Sequence, residues 1–359
     1  MGRLPALKRQ ILHSEIRFIN WKKQDSCLLA KTAARERSPP MNIDLSAIRH
    51  VGTGLRRPES VIATARGELF VSDHDCGVRA LARPPTRPQG MPEGFLPNGI
   101  ALTPEREFLI ANLGTACGGG VWRLDRQHQL RPWLMEVDGQ PMPSTNFVSL
   151  DSLGRTWVSM STRQVPRELA FRSGAADGFI AVVDARGARI VADGIAFTNE
   201  CRVDPSGRWL YVNETYGRRL KRFPIQGGAA DWALGAAEVV HEFSDGDFPD
   251  GLAFDAEGGV WVACVVSNRV LRIAPGGQTQ VILEDPDAAL IATAEANYAR
   301  NALGRSDIDA GGTRALRNVS SVAFGGPDLR TVYLGNLAGQ SLATFDSPVA
   351  GAQPPHWLY

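Results

Sequence analysis

Lysine is nearly missing from this chain beyond its opening segment. Only five occur among 359 residues, and four of them (Lys8, Lys22, Lys23 and Lys31) lie near the start, leaving Lys221 alone thereafter. Cysteine is also sparse. Cys27, Cys76, Cys117, Cys201 and Cys264 are odd in number, widely spaced and without a C-x-x-C pair, which argues against a disulfide framework and a cysteine-rich zinc site. Buried, inert thiols in a reducing compartment are expected, and with them a cytoplasmic location. No apolar run approaches the roughly 20 residues needed to cross a bilayer, so no membrane role is expected. Catalytic signatures are absent as well: there is no G-x-S-x-G, no H-E-x-x-H, no Gly-Lys pair for a P-loop and no G-x-G-x-x-G. A net charge of +1 and the lack of interleaved basic and aromatic residues give no support for a nucleic-acid partner.

The chain nevertheless has the composition of a globular protein, 43% apolar and 21% charged, enough to fill a sizeable core. Its near-neutral charge hides a division. Residues 1–40 carry nine Lys/Arg against three acids (Glu15, Asp25, Glu36), and they end in Ser38-Pro39-Pro40 just before Met41. This segment lacks the apolar stretch of a secretory signal, and its acids count against a transit peptide. It is expected to be a poorly ordered extension, or an upstream start before a natural Met41, with residues 41–359 forming the folded unit.

That unit is built on a repeat. Six copies of a polar residue, an apolar strand, a turn and a second strand begin at Glu59, Asn98, Asn146, Asn199, Asp250 and Ser320, spaced by 39, 48, 53, 51 and 70 residues. Turns such as DSLG, DPSG and DAEG separate β-branched or aromatic strands, and several copies run on into a third strand. Forty to fifty residues with three or four strands is the spacing of a propeller blade. The expected fold is therefore all-β, a six-bladed β-propeller, with residues 43–52 supplying the outer strand of the last blade. Two segments interrupt the pattern. Residues 161–178 read as a long loop within the third blade, and the Ala-rich residues 285–304 read as a helical insertion. Long insertions of this kind are often lids or binding loops.

In a propeller the first strand of each blade runs along the central channel, so the six starting residues meet at one end of it. The plain reading of Asn-Gly or Asp-Gly is turn chemistry. Six polar residues in register change that reading, because two carboxylates and three amides in a narrow channel are costly unless a cation pairs them. Oxygen donors of this kind suit a hard divalent ion such as Ca²⁺. One divalent cation is expected at the channel end, Ca²⁺ first, with Zn²⁺, Mn²⁺ or Mg²⁺ as alternatives.

The stretches LPNGIAL, RVDPSGRWLYVNET, FPDGLAFDAEGGVWVA and VAFGGPDLRTVYLGN carry a family resemblance. Over roughly residues 52–346 the chain resembles the SMP-30/gluconolactonase/LRE-like family of six-bladed propellers. The resemblance implies a divalent ion held by Glu59, Asn199 and Asp250, with Asn146 as a further contact, and it implies hydrolysis of lactones or related small esters. Two departures bear on specificity. Ser144 stands where relatives often have Arg, and Glu200 follows Asn199 where Gly is common.

The expected chemistry assigns Asp250 as general base, since a carboxylate can accept a proton from water and an amide cannot. Asn98 and Asn146 would orient substrate oxygens. His74 and Glu200 are further candidates for substrate binding, although His74 reads first as a surface histidine and Glu200 as the ion-pair partner of Arg202. His356 reads as packing. Two rival classes stay open: a non-catalytic propeller that binds a ligand or protein on its face, and a metal-free propeller of the strictosidine synthase type.

Overall fold

The computed structural model describes residues 41–359. Residues 1–40, with Cys27 and the expected extension, lie outside the described residues. Six antiparallel blade sheets follow one another along the chain, with a two-stranded ribbon, Glu136–Val137 and Gln140–Pro141, between the second and third. Their innermost strands are Val61–Ala63, Pro97–Leu102, Thr145–Leu150, Thr198–Val203, Asp247–Phe254 and Val319–Gly325. Each inner strand packs against the inner strand of the next sheet, and the first packs against the sixth, so the ring closes. Closure is also made by hydrogen-bonded strands. Arg49–Val51 pairs antiparallel with Leu342–Asp346, making the chain's first strand the outer strand of the last blade, as the sequence predicts for residues 43–52.

Several blade turns are held by an aspartate of their own, while Thr64 and Thr103 stand at that position in the first two blades. Asp255 accepts from the backbone N–H of Glu257 (2.9 Å) and Gly259 (2.7 Å), and from the Trp261 indole (2.9 Å) on the following strand. Asp151 does the same for Leu153, Arg155 and Trp157 in the third blade. Gly154 and Gly258 sit at φ +75° and +82° in these turns, where a side chain would be strained. Trp157 and Trp261 are fully buried between neighbouring blades, the latter against Phe324 at 5.0 Å between ring centroids.

Blade 1 has three strands where blades 2, 3, 5 and 6 have four. The segment after Ala80 carries Pro84, Pro85 and Pro88, which cannot donate to a sheet ladder, and no fourth strand joins. The two insertions appear as expected in kind. Residues 161–178 leave blade 3 between its second and third strands as a loop with one short turn of 3₁₀ helix, Arg167–Ala170. Residues 285–304 contain helix α1, Ala288–Ala299, capped by Asp287 through the N–H groups of Ala289 and Leu290, and a short helix α2, Arg305–Asp309, follows. No helix among the described residues is long and apolar enough to cross a membrane. Cys76, Cys117, Cys201 and Cys264 are free. Burial pushes the Cys201 thiol up to about 12, which keeps it protonated and inert.

Candidate active site

The six starting residues do something the repeat alone did not reveal. In five blades the ladder between the inner strand and its neighbour skips at that position. Pairing jumps from Pro97 to Ile100, from Thr145 to Phe147, from Thr198 to Cys201, from Pro249 to Leu252 and from Val319 to Ser321. Asn98, Asn146, Asn199, Asp250 and Ser320 are left out, three of them together with the next residue (Gly99, Glu200 and Gly251). An irregularity of this kind re-aims a side chain away from the sheet face. Here the re-aimed side chains of blades 2 to 5 line one cleft of about 390 Å³ at the mouth of the channel, together with Glu59 of blade 1.

The glycines beside them are not turn residues. Gly99 and Gly251 have no positive φ. A Cβ on Gly251 would lie 2.5 Å from the Ser320 carbonyl oxygen, and one on Gly99 would lie 2.7 Å from the Phe147 Cα. Asn98-Gly99 and Asp250-Gly251 therefore mark places where adjacent inner strands approach too closely for any side chain.

Hydrogen bonds fix the orientation of each donor. Asn98 Nδ2 donates to Glu59 Oε1 (2.8 Å) and to the Asn146 carbonyl (2.9 Å), and Asn98 Oδ1 accepts from Arg57 Nη1 (2.8 Å). Its amide is thus committed within the protein, as a strut that sets Glu59. Asn146 Nδ2 donates to Ser161 Oγ (3.0 Å) and Asn199 Nδ2 to Thr215 Oγ1 (3.0 Å), so both amides are locked by their nitrogen ends. Thr215 Oγ1 in turn donates to the Pro249 carbonyl (2.8 Å), tying Asn199 to the residue before Asp250.

What remains is a set of buried oxygens without partners. Glu59 Oε2 and Asn199 Oδ1 are shut off from solvent and accept no hydrogen bond. Burial lifts the Glu59 carboxyl well above the usual carboxylate range against the pull of Arg57, and lifts Asp250 likewise, with the Glu200 charge adding to the rise. Among the described residues no three His, Cys, Asp or Glu cluster together. The donor set is two carboxylates plus amide oxygens. That is oxygen-only chemistry, suited to a hard cation rather than to a soft one, and the unpartnered oxygens of Glu59 and Asn199 fit such an ion.

The other candidates fall outside the lining. Glu200 lies one residue deeper, accepting from Arg202 Nε (3.1 Å) and the Leu252 N–H (3.2 Å), so the ion-pair reading of this residue matches its contacts. His74 is half-buried behind Arg57, and burial together with that guanidinium lowers it to about 4. Three lining arginines escaped the sequence reading. Arg57 precedes Glu59 by two residues, at the same offset as Ser144 from Asn146. Arg167 comes from the 161–178 insertion and Arg305 from just after the 285–304 one, where no repeat register exists to flag them.

A second, larger cavity of about 930 Å³ opens at the opposite end of the channel, over the ends of the inner strands and beneath residues 352–356. Its charged groups are already spent. Asp151 is bound by Arg155 Nε (2.5 Å), Arg202 by Glu200 (3.0 Å), and burial pushes His356 down to about 3. The smaller cleft is the candidate site because its polar atoms are unpaired, which matters more than volume.

Comparison with known proteins places the fold and the family. A 6-deoxy-6-sulfogluconolactonase of Pseudomonas putida is 30% identical over 244 residues, spanning 66% of this chain and 69% of that protein. A luciferin-regenerating enzyme superposes with a TM-score of 0.60 at 15% identity, covering 85% of this chain and 97% of its own. A structure described as a calcium-binding regucalcin of Agrobacterium tumefaciens superposes with a TM-score of 0.54 at 18% identity, covering 89% and 95%. At these identities the two structures speak for the fold. The family model described as SMP-30/gluconolactonase/LRE-like region matches residues 48–295, and the chain belongs to that family.

Proposed function

We propose that this chain is a divalent-cation-dependent hydrolase of lactones or closely related small esters, working at the channel mouth. The observation that carries the reading is the pair of buried carboxylates, Glu59 and Asp250, together with a Glu59 oxygen and the Asn199 amide oxygen that have no hydrogen-bond partner. The lactonase relative in Pseudomonas putida and the family membership support the reaction class. Glu59, Asn199 and Asp250 would hold the cation, with Asn146 beside them. Ca²⁺ is the first choice because the donors are all oxygen and the fold neighbour from Agrobacterium is described as calcium-binding.

When bound, such a cation supplies Lewis acidity and positive charge at the ester carbonyl oxygen. The remaining work falls to the chain's own side chains. Asp250 takes the proton from the attacking water at a carboxylate oxygen and returns it to the alkoxide released when the ring C–O bond breaks. Glu59 is the weaker candidate for that role, because Asn98 and Arg57 already hold its carboxylate. Asn146 faces the substrate from a fixed orientation, and Asn98 acts by fixing Glu59. Closely packed inner strands keep these groups rigid, so little reorganisation is needed as charge develops.

The test is a panel of γ- and δ-lactones and aryl esters, assayed before and after chelation and after re-addition of Ca²⁺, Mn²⁺, Mg²⁺ or Zn²⁺. Turnover that chelator abolishes and one of these ions restores is the expected result. A purified protein that binds no divalent ion and turns over no member of the panel would overturn the reading in favour of a binding platform.

A further inference from the structure

The cleft carries more positive charge than its own carboxylates can neutralise. Three guanidiniums line it (Arg57, Arg167 and Arg305) against Glu59 and Asp250. Arg57 is spent on Asn98 at 2.8 Å and lies 3.8 Å from Glu59. Arg305 is held by Asp309, with Nε at 2.9 Å and Nη2 at 2.7 Å, so its remaining face is directed by that pair. Arg167 is different. Its Nε and Nη1 are shut off from solvent and have no hydrogen-bond partner, while its guanidinium carbon lies 4.9 Å from the ring centroid of Phe197.

A buried guanidinium with unpaired N–H groups is costly, because it has lost water and gained nothing in exchange. Stacking on an aromatic ring recovers only part of that loss. Burial and the nearby Arg305 and Arg57 charges lower Arg167 to about 10, so at neutral pH it keeps its full charge. It is also placed with intent. The 161–178 insertion brings it over the channel mouth, and the segment after the 285–304 insertion brings Arg305 to the same cleft. The wall between them is apolar, formed by Phe171, Phe197 and Ile308. Such a wall lowers the local dielectric and strengthens an ion pair formed against it. Neutral hydroxyl groups would not compensate the unpaired Arg167 guanidinium, whereas a planar or tetrahedral oxyanion matches its forked donors, with Arg305 beside it.

We propose that Arg167 and Arg305 form an oxyanion subsite, and that the substrate is a lactone bearing a fixed acidic group (sulfonate, carboxylate or phosphate) on the part remote from the ester. The proposal rests on the lactonase reading for its reaction but not for its binding chemistry. Glu59 and Asp250 then serve the ester end, and Arg167 and Arg305 serve the acidic end.

The experiment has a kinetic arm and a binding arm. Aldonolactones carrying a terminal sulfonate, carboxylate or phosphate are compared with the neutral lactone of the same ring size, in wild type, Arg167→Met, Arg167→Lys and Arg305→Met. The acidic lactones should have the lower KM. Arg167→Met should raise KM for them about 10- to 100-fold, the range for losing a charge-assisted pair, while changing the neutral lactone less than about threefold. Arg167→Lys should recover part of the loss, and the acid giving the largest ratio identifies the anion. In the binding arm, sodium sulfate should raise the melting temperature of the chelated wild type above sodium chloride at equal ionic strength, and Arg167→Met should remove the difference. Should Arg167→Met not fold, Arg167→Lys and Arg305→Met carry the same comparison. Equal turnover of neutral and acidic lactones, with the variants affecting both alike, would overturn the subsite and leave the lactonase reading intact. If no lactone is turned over, the lactonase reading fails and sulfate decides the subsite. A sulfate effect lost in Arg167→Met supports it, and no sulfate effect in wild type overturns it.

Discussion

Strand Asp247–Phe254 of blade 5 carries Asp250 at the channel mouth, and Asp255 follows just past its other end, five residues away. Both are buried, at 6% and 1% exposure, yet they are used in opposite ways. Asp255 is saturated: two backbone N–H groups, the Trp261 indole and Arg272 Nε (2.6 Å) all converge on it. Asp250 sits where the ladder breaks, beside an unpartnered amide oxygen and an ionisable neighbour. The contrast extends to the whole channel. At the Asp255 end the C-terminal segment lies across the opening, tied by Ala352 N–H to the Phe254 carbonyl (2.9 Å) and by Ala65 N–H to the Trp357 carbonyl (2.8 Å). One end of the channel spends its polar atoms on folding, and the other withholds them.

The strongest way to break that comparison is to neutralise each aspartate in turn. Asp250→Asn keeps an oxygen donor and loses the base, so kcat at saturating cation should fall about 10²- to 10⁴-fold. Its stability without cation should hold or rise, since a buried charge is removed. Asp255→Asn leaves the buried Arg272 with only the exposed Glu257 (3.0 Å) as counter-charge and should destabilise the fold by about 3 kcal/mol, read from denaturant titration. Its activity per folded molecule should stay within about twofold at a temperature where it is folded. Should the two variants exchange phenotypes, the division between the two ends would be wrong.

pH sharpens the same comparison. Glu59 is raised to about 8 and Asp250 to about 7 from ordinary values near 4.5 and 3.8. A carboxyl whose folded pKa lies above its unfolded one binds its proton more tightly in the native state. Chelated protein should therefore be most stable below about pH 4 to 5 with respect to these two groups, and lose that contribution as pH rises towards 8. A divalent cation needs the deprotonated carboxylates, so its affinity should rise over the same interval. The melting temperatures of chelated and Ca²⁺-loaded protein should thus diverge steadily from pH 5 to pH 8. A constant gap would mean that these carboxylates do not hold the ion.

The ring of blades was legible in the sequence because every blade repeats the same physical solution. A polar turn residue (Asp151, Asp204 and Asp255, but Thr64 and Thr103 in the first two blades) and a following aromatic or β-branched strand recur at intervals that only a closed ring can bury. The starting residues of the inner strands were legible for the same reason, being polar where the strand is otherwise apolar. Their irregular pairing was not, since a skipped ladder position leaves no composition signal beyond a small neighbour such as Gly99 or Gly251. Nor could sequence separate Asn98, consumed by Glu59 and Arg57, from Asn146 and Asn199, which keep an oxygen end for the cleft. Arg167 and Arg305 were hidden most completely. They lie in segments with no repeat, and only folding brings residues 138 positions apart to one cleft.

The smallest expected effect probes how the open end is held in shape. Thr215 Oγ1 accepts from Asn199 Nδ2 and donates to the Pro249 carbonyl, so one hydroxyl fixes the amide and the backbone that precedes Asp250. Thr215→Val preserves the shape but removes both bonds, leaving two buried polar groups unpaired. Asn199 can then turn its nitrogen towards the cleft, which would present a donor where an acceptor is wanted. Partners that orient ligands in this way are worth about 10- to 100-fold in metal affinity. Because Asn199 itself and both carboxylates remain, the lower end of that range is expected, about tenfold in Ca²⁺ affinity by calorimetry. Turnover at saturating Ca²⁺ should change less than about threefold, since Asp250 keeps its proton chemistry. A variant with unchanged affinity but lowered kcat would place Thr215 in the reaction rather than in the support of Asn199.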